Sequence, residues 1–146
     1  MLTRLQQGRA STGSARASAL IAALVGLCVL TSCGASQDAD VSQVARHFYI
    51  AVQEGDGQDA CQMLSTASRS GLEKSSRQKC SQAIITEDLD VAADVESAQV
   101  YGTMAIVHTD EDTMFLSRFP VGWQITGVGC QPTRQLDQYD CSITGG

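Results

Sequence analysis

The sequence predicts an α+β domain in which N-terminal helices pack on a curved antiparallel sheet. Three observations predict it. Between residues 41 and 84 apolar side chains recur at helical spacing, and beyond about residue 90 the period falls to two. The later segments are joined by short turns, which makes neighbouring strands antiparallel. The helical half precedes the strand half without interleaving, the order of an α+β domain rather than an α/β one. At 146 residues, with 43% apolar and 18% charged, the chain has the size and composition of one folded domain.

The first segment is an address rather than part of the fold. Residues 1–18 carry Arg4, Arg9 and Arg16 and no acid, and an apolar run of twelve follows from Ala19 to Leu30. A basic flank before a short apolar run is the secretory signal pattern, and twelve residues are too few to span a bilayer comfortably. The next residues, Leu30-Thr31-Ser32-Cys33-Gly34, resemble the lipobox of bacterial lipoproteins: an aliphatic residue, two small residues and an acceptor cysteine. The resemblance implies that Cys33 receives a diacylglyceryl thioether and, after cleavage, carries the acyl chains (palmitate among them) as the mature N-terminus. The expected organisation is therefore a removed signal peptide at 1–32, a lipidated cysteine with a short polar tether at 33–40, and a single domain at 41–146. Fully extended, Gly34–Asp40 reaches about 25 Å, which keeps the domain near the membrane on its extracytoplasmic face.

Cleavage sharpens the charge. The full chain is −6, and losing three arginines and no acid leaves seven basic against sixteen acidic side chains, a formal −9. That balance argues against a nucleic-acid partner and against attachment through a basic face. Arginine outnumbers lysine eight to two, as in proteins of GC-rich genomes.

Within the domain, Val41, Val44, Ala45, Phe48, Tyr49 and Val52 form one helical stripe, with Asp40 as its expected N-cap and Gly55 or Gly57 as its stop. A second helix is expected near Asp59, with Ala60, Met63, Leu64 and Ala67 on one face. Ser70-x-x-Glu73 reads as a cap for a short helix at 71–76, and Cys80, Ala83 and Ile84 as a further turn or two. The strands are expected at 96–101, 104–109, 113–119, 123–130 and 139–143, punctuated by Gly102, Asp110-Glu111-Asp112 and Pro120-Val121-Gly122.

Cys28 leaves with the signal and Cys33 takes the lipid. Cys61, Cys80, Cys130 and Cys141 remain, an even count in an exported domain and so two disulfides. Three connectivities are open. Cys61–Cys80 with Cys130–Cys141 is the expected one because each pair closes a local loop. None of these four cysteines forms a C-x₂₋₄-C pair or a C-x-x-C motif that would point to zinc or to a redox centre, and no cofactor is expected.

Several stretches, Phe48–Asp56, Ala60–Ser65, Lys79–Ile84, Gly122–Cys130 and Tyr139–Ile143, together resemble small actinobacterial lipoproteins with a nuclear-transport-factor-2-like domain, a cone of helices against a curved antiparallel sheet. The resemblance spans about 41–144 and implies the fold, the compartment and the two local disulfides, but no reaction. Enzymes of that superfamily, such as ketosteroid isomerases, work in the cone with an Asp base and an oxyanion pair. Here Tyr49, Tyr101 and Tyr139 are the candidate donors, and Asp90 and Asp94 the candidate bases. The plainer expectation puts the tyrosines in core or rim with solvated hydroxyls. His47 is expected half-exposed and His108 at a strand end, neither beside a nucleophile. Asp110-Glu111-Asp112 lacks a calcium-loop pattern and is expected as a solvated turn. Trp123 is expected in the core where the sheet bends. The function expected is that of a membrane-anchored lipoprotein, a non-enzymatic binding or accessory module for a small apolar ligand or an envelope protein. The alternative is a cone-fold enzyme of isomerase or cyclase type.

Overall fold

Four helices precede a five-stranded antiparallel sheet in the computed structural model, which describes residues 32–89, 94–135 and 138–145. Residues 1–31, which hold nearly all of the expected signal peptide, and the candidate base Asp90 lie outside the described residues. In chain order the elements are α1 (Ser32–Glu54), α2 (Gly57–Met63), α3 (Thr66–Ser76), α4 (Cys80–Ala83), β1 (Val95–Tyr101), β2 (Met104–Thr109), β3 (Thr113–Phe119), β4 (Gly122–Pro132) and β5 (Tyr139–Thr144). The strands form a simple meander, each pairing with the next, in an α+β arrangement compatible with a cone.

The helical stripe does what its spacing predicts. Val41, Ala45, Phe48 and Tyr49 are buried on one side of α1 and pack in the same core as Ala105, Val107, Met114, Leu116, Ile125, Val128 and Ile143 of the sheet. The opposing register places Val100, Ala105, Leu116 and Ile125 on this inner face, and Gln99, Tyr101, Met104, Ile106, Phe115 and Ser117 on the other. The register shifts where β4 opposes Phe115 and Leu116 with Gly127 and Ile125, so Thr126 is the extra residue of a β-bulge.

Three boundaries differ from expectation. Helix α1 begins at Ser32, so the backbone from Gly34 to Asp40 is helical rather than an extended tether, and Asp40 sits inside the helix instead of capping it. Helical geometry shortens those seven residues to about 10 Å. The reason lies with Asp38, whose Oδ1 accepts a hydrogen bond from the Val100 backbone N–H at 3.0 Å and holds the helix on β1. The second helix starts earlier, at Gly57, capped by the Asp56 carboxylate on the Asp59 N–H. Ala67 belongs to α3, which is capped by Ser65 on the Ser68 N–H, not by Ser70. Glu73 cannot complete a capping box with Ser70, because its Oε1 accepts from the Cys80 N–H at 3.0 Å and joins α3 to α4.

Both disulfides close local loops. Cys61–Cys80 joins α2 to α4, and Cys130–Cys141 joins directly opposed residues of β4 and β5. The α2–α4 approach depends on Gly57, since a Cβ there would run into the Ser81 carbonyl.

Candidate functional site

The cone interior is where the expected chemistry would sit, and among the described residues it is occupied by buried apolar side chains. Phe48, Leu64, Ile84, Met114, Leu116 and Ile125 are among its fully buried side chains. Tyr49 is in this core, not at a rim. Its hydroxyl lies 2.7 Å from both carboxylate oxygens of Asp112 and donates to them. Asp112 is only 6% exposed, so the acidic turn is not solvated throughout: Asp110 and Glu111 face water and Asp112 faces inward. Thr109 completes the arrangement. Its hydroxyl donates to Asp112 Oδ1 at 2.8 Å, and the Asp112 N–H donates back to Thr109 Oγ1 at 2.9 Å. Burial drives the Tyr49 pKa far above the ordinary phenol value, helped by the hydrogen bond to Asp112 and by its negative charge.

This pair has the residue types of an isomerase centre, but Tyr49, Asp112 and Thr109 are all buried and hydrogen-bonded to one another. Its physical effect is to pin α1 to the β2–β3 turn. The pairing was hard to find in the sequence because 63 residues separate the partners. The available signal was Thr109-x-x-Asp112 next to a buried strand start, a spacing at which a side chain can close its own turn.

The other candidates are dispersed. Tyr101 is 58% exposed and Tyr139 38%. Tyr101 hydrogen-bonds Gln99, and Tyr139 packs edge-on against Phe115 with ring centres 4.9 Å apart. Asp94 is exposed at the start of β1. His108 Nδ1 lies 3.1 Å from Thr113 Oγ1. His47 Nε2 pairs with Asp59 Oδ2 at 2.8 Å, linking α1 to α2 on an exposed surface. Trp123 is half-buried against the core, with the Arg118 guanidinium 5.6 Å from its ring centre. Its indole N–H is buried without a partner among the described residues. Among the described residues no cluster of His, Cys, Asp and Glu could hold a metal ion, and no helix is long and apolar enough to cross a membrane.

An apolar groove that could hold a ligand lies elsewhere. A groove of about 410 Å³ runs between the first turn of α3 and the outer face of the sheet, bordered by Met104, Phe115, Phe119, Ala67 and Cys141. Its position follows from local sequence. The bulge at Thr126 lets Ser68 Oγ donate to the Thr126 carbonyl at 2.9 Å, drawing α3 onto β4. Gly127 leaves room for the Cys130–Cys141 sulfurs and the Phe115 ring, where a Cβ would stand 3.2–3.6 Å from them. The hydroxyls of Ser65 and Ser68 bond each other at 2.8 Å. No ionisable side chain lines the groove. It can therefore take an apolar molecule by contact, and its Ser65 and Ser68 hydroxyls are engaged with each other and with the Thr126 carbonyl. A second, more polar cleft of about 430 Å³ lies between His47, Gln43, Gln62 and Trp123.

No family model matches the chain, and no curated protein or solved structure matches it.

Proposed function

We propose that the chain is an extracytoplasmic lipoprotein, anchored to the cell membrane through acyl chains on Cys33, whose domain is a non-enzymatic binding or accessory module. The observation that carries it is Leu30-Thr31-Ser32-Cys33 at the end of an apolar run of twelve that follows a basic flank. The four remaining cysteines, bonded in pairs inside the domain, support an oxidising compartment. On this reading the chain is one of the small actinobacterial lipoproteins with a nuclear-transport-factor-2-like cone. Cys33→Ala is expected to move the protein from the membrane fraction to the medium and to abolish labelling by radioactive palmitate. Persistent anchoring of that variant would sink the reading.

The groove beside α3 supports a small apolar ligand over a charged one. An environment-sensitive apolar dye such as N-phenyl-1-naphthylamine should bind the purified domain and brighten. Ala67→Trp, which fills the groove from an exposed position, should abolish the signal while leaving the fold intact. The alternative, a cone-fold enzyme of isomerase or cyclase type, draws on the Tyr49–Asp112 pair. It requires a ligand in contact with Tyr49, and a phenolate analogue that perturbs the Tyr49 ring resonances would favour it.

A further inference from the structure

The meander puts the β1–β2 and β3–β4 turns at one end of the sheet and the β2–β3 turn at the other. The two ends differ in chemistry. At the first, Tyr101, Met104, Phe119 and Val121 are 58%, 59%, 39% and 82% exposed, four of the seven large apolar side chains that reach the surface among the described residues. At the second stand the exposed Asp94, Asp110 and Glu111. Exposed apolar residues gathered at one end, rather than scattered singly, mark an interaction surface.

The start of α1 lies at the apolar end. Asp38 accepts from the Val100 N–H, Arg118 Nη1 donates to Gln37 Oε1 at 3.2 Å, and the two turns touch through the Arg118 N–H on the Thr103 carbonyl at 2.8 Å. Cys33 precedes Gln37 by four residues, a span of about 14 Å at most, whatever its conformation. An anchor at Cys33 therefore holds this end, and not the acidic one, against the bilayer.

We infer that the Tyr101–Met104 and Phe119–Val121 turns seat in the interfacial layer of the membrane and fix the orientation of the domain, with the acidic β2–β3 turn pointing away. The inference rests on the lipid-anchored reading. The occupant is a lipid surface because the anchor at the start of α1 brings that surface within reach of these side chains. Asp38 does not oppose this, since its carboxylate is engaged by β1; Asp40, exposed two residues further along α1, stays in water. Acidic groups repelled by anionic headgroups sit at the far end. The acyl chains supply attachment, and the turns supply direction.

The test supplies the anchor chemically, so that it does not depend on lipidation in the cell. The Gly34–Gly146 unit has its own core, and the chain from Cys33 onward can be coupled through that thiol to a maleimide phospholipid in phosphatidylethanolamine–phosphatidylglycerol vesicles. Amide hydrogen exchange is then compared on vesicles and free in solution. Exchange at residues 101–104 and 119–122 is expected to slow by about tenfold on vesicles, with residues 110–112 unchanged. Met104→Glu/Val121→Glu, at two exposed positions, should remove the protection without altering exchange in the core. Equal exchange on vesicles and free, protection at 110–112, or protection that persists in the double variant would overturn the inference. So would protection that appears without vesicles as protein concentration rises, which would assign the surface to a second copy. Failure of Cys33→Ala to release the protein in cells would overturn the anchored reading and leave this measurement intact.

Discussion

Tyr49 and Asp112 form a buried polar pair that ties α1 to the β2–β3 turn, and its energetics follow from its surroundings. Removing the hydroxyl in Tyr49→Phe leaves a buried carboxylate with Thr109 as its remaining side-chain donor. A loss of about 1–3 kcal/mol is expected in urea unfolding. The pH dependence has a definite sign. The phenol pKa is raised by folding, so above about pH 10 the unfolded chain releases this proton while the folded chain keeps it. Its contribution is complete below that pH and is lost as pH rises further. The stability gap between wild type and Tyr49→Phe should therefore narrow above about pH 10 and stay flat between about pH 7 and 9; a gap that widened in alkali would contradict the assignment. Gly57 is the other decisive residue. Gly57→Ala drives a methyl into the Ser81 carbonyl, and about 1–3 kcal/mol of destabilisation is expected. The sequence showed Tyr49 as a stripe member and as one of three candidate donors, and Gly57 as a helix stop. It showed neither Asp112 as the partner of the one nor the Ser81 carbonyl against the other, because those partners lie far along the chain.

At the scale of elements, the strands were legible and the helix starts were not. Gly102, Asp110–Asp112 and Pro120–Gly122 break alternating runs, and β2 and β3 have the predicted bounds. A turn is local chemistry, so its residues suffice to place it. Helix starts depend on which of several hydroxyls and carboxylates finds an N–H. Ser65 does so on α3 where Ser70 was the expected cap, and Glu73 was drawn away by the Cys80 N–H. The bulge that creates the groove was invisible for the same reason, since Thr126 and Gly127 look like any strand pair until α3 docks on them. The cysteine spacing was more informative, because a bond between cysteines 19 residues apart must close over whatever lies between them, here α3. Loop-closure entropy gives roughly 3 kcal/mol for that span. Cys61→Ala/Cys80→Ala is accordingly expected to lower stability by about that amount. It should also raise amide exchange in α3 and α4 before any change in β2 and β3, as read by mass spectrometry. Uniform loosening of helices and sheet would mean that the staple acts on the whole fold instead of on the α2–α4 junction.

At the scale of the whole molecule the question is what kind of force keeps it on a membrane. On the anchored reading the mature chain carries seven basic and sixteen acidic side chains, so the bulk of its surface is repelled by anionic headgroups, and the repulsion weakens with salt over a Debye length of about 8 Å. The attractive contributions, acyl chains on Cys33 and the apolar turns, are insensitive to screening. Salt and charge therefore act in the direction opposite to that of a protein held by a basic patch. Washing membranes with 1 M salt, where screening shortens to about 3 Å, should release none of the protein and should, if anything, strengthen its retention. Alkaline carbonate should also leave it in place, while a non-ionic detergent should extract it completely. Release by salt alone, measured by immunoblot of supernatant and pellet, would mean that an ionic contact to another envelope component holds the protein, and that Cys33 is not its attachment.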